Sequence, residues 1–155
     1  MLTNKWGSAP DLKWWRFDAL DVHQLYAVLR LREQVFMLEQ NSLYEELDNL
    51  DQQSEHLLAT ADGELMGYLR LLAPADGPVK LGRIVLAKAA RGTGLGPTLI
   101  REGLARAASQ YPSRPVKISA QLALKDYYGQ FGFVGTSEPY DDGGVLHLDM
   151  VKTAE

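Results

Sequence analysis

The sequence predicts an α/β domain, a mixed open sheet with helices interleaved between its strands. Three observations carry that prediction. Apolar runs of strand length alternate with runs of helical period. Asp62-Gly63 and Asp142-Gly143-Gly144 each separate two strand-like runs. Finally, one apolar run leads through three alternating glycines, Gly92, Gly94 and Gly96, into a helix-like segment.

The elements follow in order. LKWWRF, residues 12–17, is aromatic enough for a first strand. Asp21 can cap a helix beginning at Val22, after which Leu25, Leu29 and Phe36 recur at helical spacing. Arg32 falls on that stripe, where a guanidinium either finds a carboxylate or carbonyl partner or snorkels to the rim. Residues 56–73 read as two strands around the Asp62-Gly63 turn, and residues 79–87 as another. The helix after the glycines carries Leu99, Ile100, Leu104 and Ala107 or Ala108 on one side and stops before Pro112. Residues 115–121 return to strand and residues 122–131 form a short helix. GFVGTSEPY and VLHLDMV complete the pattern as two strands. The order is β, α, β, β, β, α, β, α, β, β, with the central helix crossing between neighbouring strands.

A chain of 155 residues suits one compact domain, residues 1–155. Its hydrophobic share of 46% is ordinary for a globular protein, and no apolar run approaches the ~20 residues of a membrane span. The start, MLTNKWGSAP, lacks the features of a secretory signal, so the cytoplasm is the expected location. With no cysteine, and with His23, His56 and His147 far apart in sequence, no metal site is expected and any catalysis must use oxygen and nitrogen groups. A formal charge of -4 argues against general nucleic-acid binding. Acids cluster instead: six lie in residues 39–55 and four in residues 138–149, with no Lys or Arg among them.

Alternate glycines let a backbone turn tightly and bring its amides against a ligand, and the helix that follows adds its positive end; such a bend suits a phosphate or pyrophosphate. A Walker loop is excluded because Gly96 is followed by Pro97 and Thr98 rather than Lys-Ser/Thr. A dinucleotide fingerprint from Gly92 would require glycine at 97, which is proline.

What remains, Arg91-x-x-Gly94-x-Gly96 after a strand and before a helix, resembles the acetyl-CoA pyrophosphate loop of the GNAT acyltransferases. YYGQFGF is similar to that family's Tyr-x-x-x-Gly-Phe segment, with Tyr128, Gly132 and Phe133 in the matching places. LRLREQVFMLEQN, LYEELDNLD, LGRIVLAKAARGTGLG and SAQLALKDYYGQFGF extend the resemblance over nearly the whole chain and sharpen it to the ElaA-like subfamily. The signature Tyr…Gly…His appears as Tyr140, Gly144 and His147. The chain departs from the subfamily at Ser42-Leu43, often Cys-Pro, and at Leu146, often Pro.

The resemblance implies a GNAT fold, with a mixed sheet splayed at the cofactor site and flanked by helices. It also implies acetyl-CoA as acyl donor, CoA as product, and a small, cationic amine or a protein amine as acceptor. Neither nucleic acid nor membrane is an expected partner, and the protein is expected to be a monomer or homodimer. Cofactor contacts are implied at Ile84, Val85, Leu86, Arg91, Gly92, Thr93, Gly94, Leu95, Gly96, Pro97, Thr98, Gln121 and Tyr128. A backbone amide near Val85, aimed at the thioester oxygen, would be worth roughly 3 kcal/mol. Tyr128 is the candidate general acid, because a phenol of pKa about 10 keeps its proton at neutral pH. Tyr127 is its competitor, turned about 100° away on a helix. An amine of pKa about 10.4 is almost wholly protonated at pH 7 and needs a base. His147 and Glu39 are the candidates, with Glu46, Asp48 and Asp51 as rivals. Arg83 cannot be that base and is expected to hold a carboxylate of the acidic loop or of the acceptor. If the acidic segments line the acceptor mouth, they favour a cationic amine. Two other readings keep the fold: a CoA-sensing or interaction module without turnover, and an acyl-homoserine lactone synthase.

Overall fold

A computed structural model describes residues 9–154; the expectation of no secretory signal therefore falls mostly outside the described residues. Among the described residues eight strands form one sheet: β1 (Asp11–Arg16), β2 (Glu55–Ala61), β3 (Glu64–Leu72), β4 (Val79–Leu86), β5 (Val116–Gln121), β6 (Val134–Gly135), β7 (Tyr140–Asp142) and β8 (Val145–Lys152). Their order is β1-β2-β3-β4-β5-β8-β6, with β7 also on β8. Only β4 and β5 are parallel. The run expected as a single strand after Phe131 is two short strands, because Ser137–Pro139 break the ladder between them.

Both hairpin turns form as the dipeptides require. Asp62 (φ 52°) and Gly63 (φ 77°) occupy the left-handed region together, the conformation of a two-residue type I′ turn that matches the twist of β2 and β3.

Helix α1 (Val22–Arg32) starts on a capping box in which Asp21 accepts from the Gln24 amide and Gln24 accepts from the Asp21 amide. It runs on as a π-helical segment, Glu33–Glu39, closed by Gln40 N–H donating to Val35 O. The fully buried residues are Val28, Leu31 and Arg32; Arg32 lies on the expected stripe, whereas its Leu25, Leu29 and Phe36 are only half-buried. Packing selects them: Val28 and Leu31 meet Leu58, Tyr68 and Val85 of the sheet.

Helix α2 (Leu95–Gln110) covers the other face of β3 and β4 with Leu95, Leu99, Ile100, Gly103 and Ala107. Burying each of the larger aliphatic side chains contributes about 1.5–3 kcal/mol. The approach is close: a Cβ on Gly103 would stand 3.0 Å from Leu81 Cδ1, and one on Gly67 3.0 Å from Leu99 Cδ1. Helix α3 (Lys125–Gly129) is shorter than expected, since Leu122–Leu124 form a 3-10 turn before it. Among the described residues no helix is long and apolar enough to cross a membrane.

Candidate active site

The parallel pair β4–β5 is bonded only where it begins, Val79 to Val116 and Lys80 to Lys117. Beyond Lys80 the strands part, and the wedge between them is a cleft of about 440 Å³. Leu81, Gly82, Arg83, Ile84, Val85 and Leu86 line one side and Ile118, Ser119 and Gln121 the other. The edge that β4 turns toward β5 is therefore left without strand partners along the cleft, the arrangement that receives an extended amide-bearing chain. A bulge at Arg83 (φ 52°) shifts the β3–β4 register between Tyr68 and Arg70 and re-aims the strand.

At one end lies the glycine bend. Gly92 (φ 75°) and Gly94 (φ 89°) sit in the left-handed region, which accounts for both. Gly96 is different. Its backbone is ordinary, and a Cβ there would meet only Leu86 Cδ1 at 3.5 Å and Tyr127 Oη at 3.7 Å, so the fold itself does not demand glycine. Gly94 caps α2 without a side-chain hydrogen bond, leaving the first-turn amides and the helix dipole to a ligand. These features fit a diphosphate on the bend and its attached arm along β4.

Some expected contacts are restricted to the backbone. The Thr93 hydroxyl donates to Ala90 O at 2.5 Å in the interior, the Leu95 side chain lies in the core, and Thr98 spends both its Oγ1, at 3.0 Å, and its backbone N–H, at 3.4 Å, on Gly94 O. Pro97 supplies no amide at all. Arg91 lines the cleft and makes a bidentate pair with Glu39, at 2.6 and 2.8 Å. Glu39, one of the candidate bases, accepts both of these bonds, and they hold its carboxyl below the usual range, which disfavours taking a proton while the pair is formed.

Tyr128 lines the cleft, whereas Tyr127 packs against Tyr128 and Phe131 with its hydroxyl toward Gly96. Burial, with a smaller contribution from Tyr127, pushes the Tyr128 phenol up to about 12. Among the described residues its hydroxyl has no hydrogen-bond partner. His147 lines the cleft too, and its Nδ1 lies 2.8 Å from Val145 O. A carbonyl only accepts, so Nδ1 carries the proton and Nε2 of the neutral ring keeps its lone pair.

Both acidic segments reach the cleft, each with one carboxylate, Glu39 and Asp142. Glu46, Asp48 and Asp51 are instead bound to three arginines. Arg32, fully buried, pairs with Glu46 and, at 2.9 Å, with Asp51. Arg70 binds Asp48 at 2.8 Å and Asp51 at 3.0 Å. Arg83 pairs with Glu46 and reaches Asp48 at 3.3 Å and Glu46 O at 3.0 Å, so it holds the acidic loop and none of these carboxylates is free to act as a base. Burial opposes the charge on Asp48, but hydrogen bonds from Arg70 and Leu50 N–H and the nearby Arg83 bring it down to about 2. Beneath the cluster, buried Tyr68 donates to His56 Nδ1 at 2.5 Å while His56 Nε2–H donates to Asp51 O at 2.9 Å. Arg32 on an otherwise apolar helix face is the sequence signal for this cluster; its partners, 14 and 19 residues away, carry none.

The splayed parallel pair and the uncapped glycine bend thus open an unpaired strand edge and a helix N-terminus onto one cleft. The family model for the GNAT acetyltransferase domain matches residues 22–154. ElaA of Escherichia coli is 36% identical over 137 residues, 86% of this chain and 90% of that one, and its crystal structure superposes with a TM-score of 0.88 over 92% of this chain and 99% of that one. An acyl-CoA N-acyltransferase from Pseudomonas aeruginosa gives a TM-score of 0.90 at 40% identity, covering 94% of this chain and all (100%) of that one. A GNAT acetyltransferase from Elizabethkingia anophelis, solved with acetyl-CoA bound, shares the fold at 17% identity with a TM-score of 0.64, over 92% of this chain and 95% of that one. The chain belongs to the GNAT acetyltransferase family and resembles its ElaA branch. It is an acyltransferase of that family.

Proposed function

We propose that the protein transfers an acetyl group from acetyl-CoA to an amine by direct attack. The observation that carries this reading is the continuity of the parted β4–β5 edges with the bend at Gly92–Gly96. Acetyl-CoA supplies an activated thioester. The backbone of Ile84, Val85 and Leu86 receives the arm, and the amides of Gly92, Thr93, Gly94, Leu95 and Gly96 receive the diphosphate, flanked by the N–H groups that Arg91 does not spend on Glu39. Gln121 and Tyr128 close the opposite wall.

His147 Nε2 takes a proton from the acceptor ammonium and becomes imidazolium. The freed nitrogen pair forms the C–N bond as the C–S bond breaks, and the departing sulfur takes the Tyr128 proton. The acylated nitrogen then gives up its surplus proton, which by way of solvent restores the Tyr128 phenol, and the imidazolium releases its own proton to solvent, leaving amide, CoA thiol and one proton. A phenol near 12 suits this step because the burial that raises it also raises the proton affinity of a thiolate beside it. Acceptor selection follows from the same wall of the cleft.

Calorimetry with acetyl-CoA and CoA, followed by thiol release with an amine panel, tests the reading. Tyr128→Phe should keep CoA affinity and fold while lowering turnover about 10²-fold or more. Wild-type protein that binds neither thioester nor CoA rejects the proposal. Binding without transfer, unchanged by Tyr128→Phe, makes the protein a binding module instead.

A further inference from the structure

Alternation along β5 and β8 buries Ile118, Ala120, Leu148 and Met150 and turns Ser119, Gln121, His147 and Asp149 to the opposite face. On that face Ser119, exposed in the cleft, stands across from Asp149. Its Oγ lies 2.5 Å from Tyr140 Oη, and Tyr140 donates to Asp149 Oδ1 at 2.7 Å. Asp149 Oδ2 lies 3.3 Å from Lys117 Nζ. The Tyr140 hydrogen bond, opposed by burial and aided by Lys117, keeps Asp149 below the usual carboxyl range.

Those contacts fix the direction of the chain. An ionised carboxylate only accepts, and the phenol has one proton, which goes to Asp149. The Ser119 hydroxyl proton must then go to Tyr140, so Ser119 offers the cleft lone pairs alone. His147, stacked on Tyr140 with ring centroids 6.4 Å apart, is fixed separately with an Nε2 lone pair. Asp142, two residues along β7 from Tyr140, lines the same cleft, and among the described residues no cation pairs with it. Arg83 and Arg91, also at the cleft, are occupied by Glu46, Asp48 and Glu39. The wall is therefore a set of acceptors beside one uncompensated negative charge.

We infer that Ser119, oriented by Tyr140 and Asp149, determines acceptor specificity by reading an N–H of a primary ammonium that His147 and Asp142 hold from other sides. A primary ammonium has three N–H donors and a positive charge. A hydroxyl or thiol offers one hydrogen and no charge, and a carboxylate offers none and is repelled by Asp142. Ser119 touches the acceptor; Tyr140 and Asp149 are positioning residues. This inference rests on the acyl-transfer reading for its meaning, but its test does not require turnover.

Ethylammonium chloride is titrated into the protein, with and without CoA, while NMR follows the Ser119 amide and the His147 ring. Tetramethylammonium, with the charge but no N–H, and ethanol serve as comparisons. Saturable shifts are expected with ethylammonium only. Tyr140→Phe, which keeps the ring beside His147, and Ser119→Ala should each weaken binding about tenfold, and Ser119→Thr should restore it. Asp149→Ala frees Tyr140 to reverse the chain and should weaken binding although Ser119 is intact, an effect that a merely structural serine would not show. CoA calorimetry on each variant reports the fold and the cofactor site separately. Absence of saturable ethylammonium binding, or affinities in Tyr140→Phe and Ser119→Ala equal to wild type, overturns the inference even if CoA binds. Loss of CoA binding in the wild type with ethylammonium binding intact rejects only the acyl-transfer reading.

Discussion

The buried arginine cluster and the neighbouring cleft use similar residue types in opposite ways. In the cluster, Arg32, Arg70 and Arg83 are matched to Glu46, Asp48 and Asp51, and Tyr68 and His56 complete the hydrogen bonding down to Asp51 O. In the cleft, the β4 edge, the first turn of α2, the Tyr128 hydroxyl and His147 Nε2 lack such partners. The difference separates structure from chemistry. Interior charge persists only when paired, whereas groups meant for a ligand stay open where water can serve them until it arrives.

Breaking the paired region should cost the most. Arg32→Leu should lower unfolding free energy by about 3 kcal/mol in urea titration, the lower end for a broken buried pair, because Arg70 and Arg83 still hold Asp51 and Glu46. Disturbing the open region should leave stability alone. Gly96→Ala adds a Cβ at ordinary contact distances, so the urea midpoint should hold while CoA affinity falls about tenfold, about 1.4 kcal/mol.

Acid sharpens the contrast further. Burial lowers the His56 pKa, so the unfolded chain takes up its proton first and stability falls as pH drops below about 6.5. Asp48 is depressed as well, and its contribution is present above the unfolded value of about 3.9. That contribution is lost as pH falls toward about 2. A urea midpoint that does not move between neutral and mildly acidic pH would contradict a buried neutral His56. The smallest effect belongs to the exposed pair: Glu39→Gln should leave stability unchanged and strengthen CoA binding no more than about threefold by releasing Arg91.

Local chemistry was legible where the residue itself enforces the geometry. The Asp62-Gly63 turn, the Asp21 cap and the glycine bend before α2 each depend on backbone conformations that few residues adopt, so their positions could be read directly. Arg32 announced a partner without naming it. The partners of Glu39 and of the acidic stretch could not be read because a carboxylate's neighbours are set by the fold: Arg91 lies 52 residues from Glu39, and Arg83 lies 35 from Asp48.

The sequence by itself thus determined the succession of strands and helices, the two turns and the bend, since these rest on periodicity and on side chains acting on their own backbone, while the family was legible through the resemblance carried by Arg91-x-x-Gly94-x-Gly96 and by Tyr128, Gly132 and Phe133. Tertiary structure alone decided which carboxylates are spent on arginines, which face of α1 is buried, where β4 and β5 part, and which way the Ser119–Tyr140–Asp149 protons run. Each of these depends on atoms brought within a few ångströms from distant parts of the chain, a distance that no local spacing encodes.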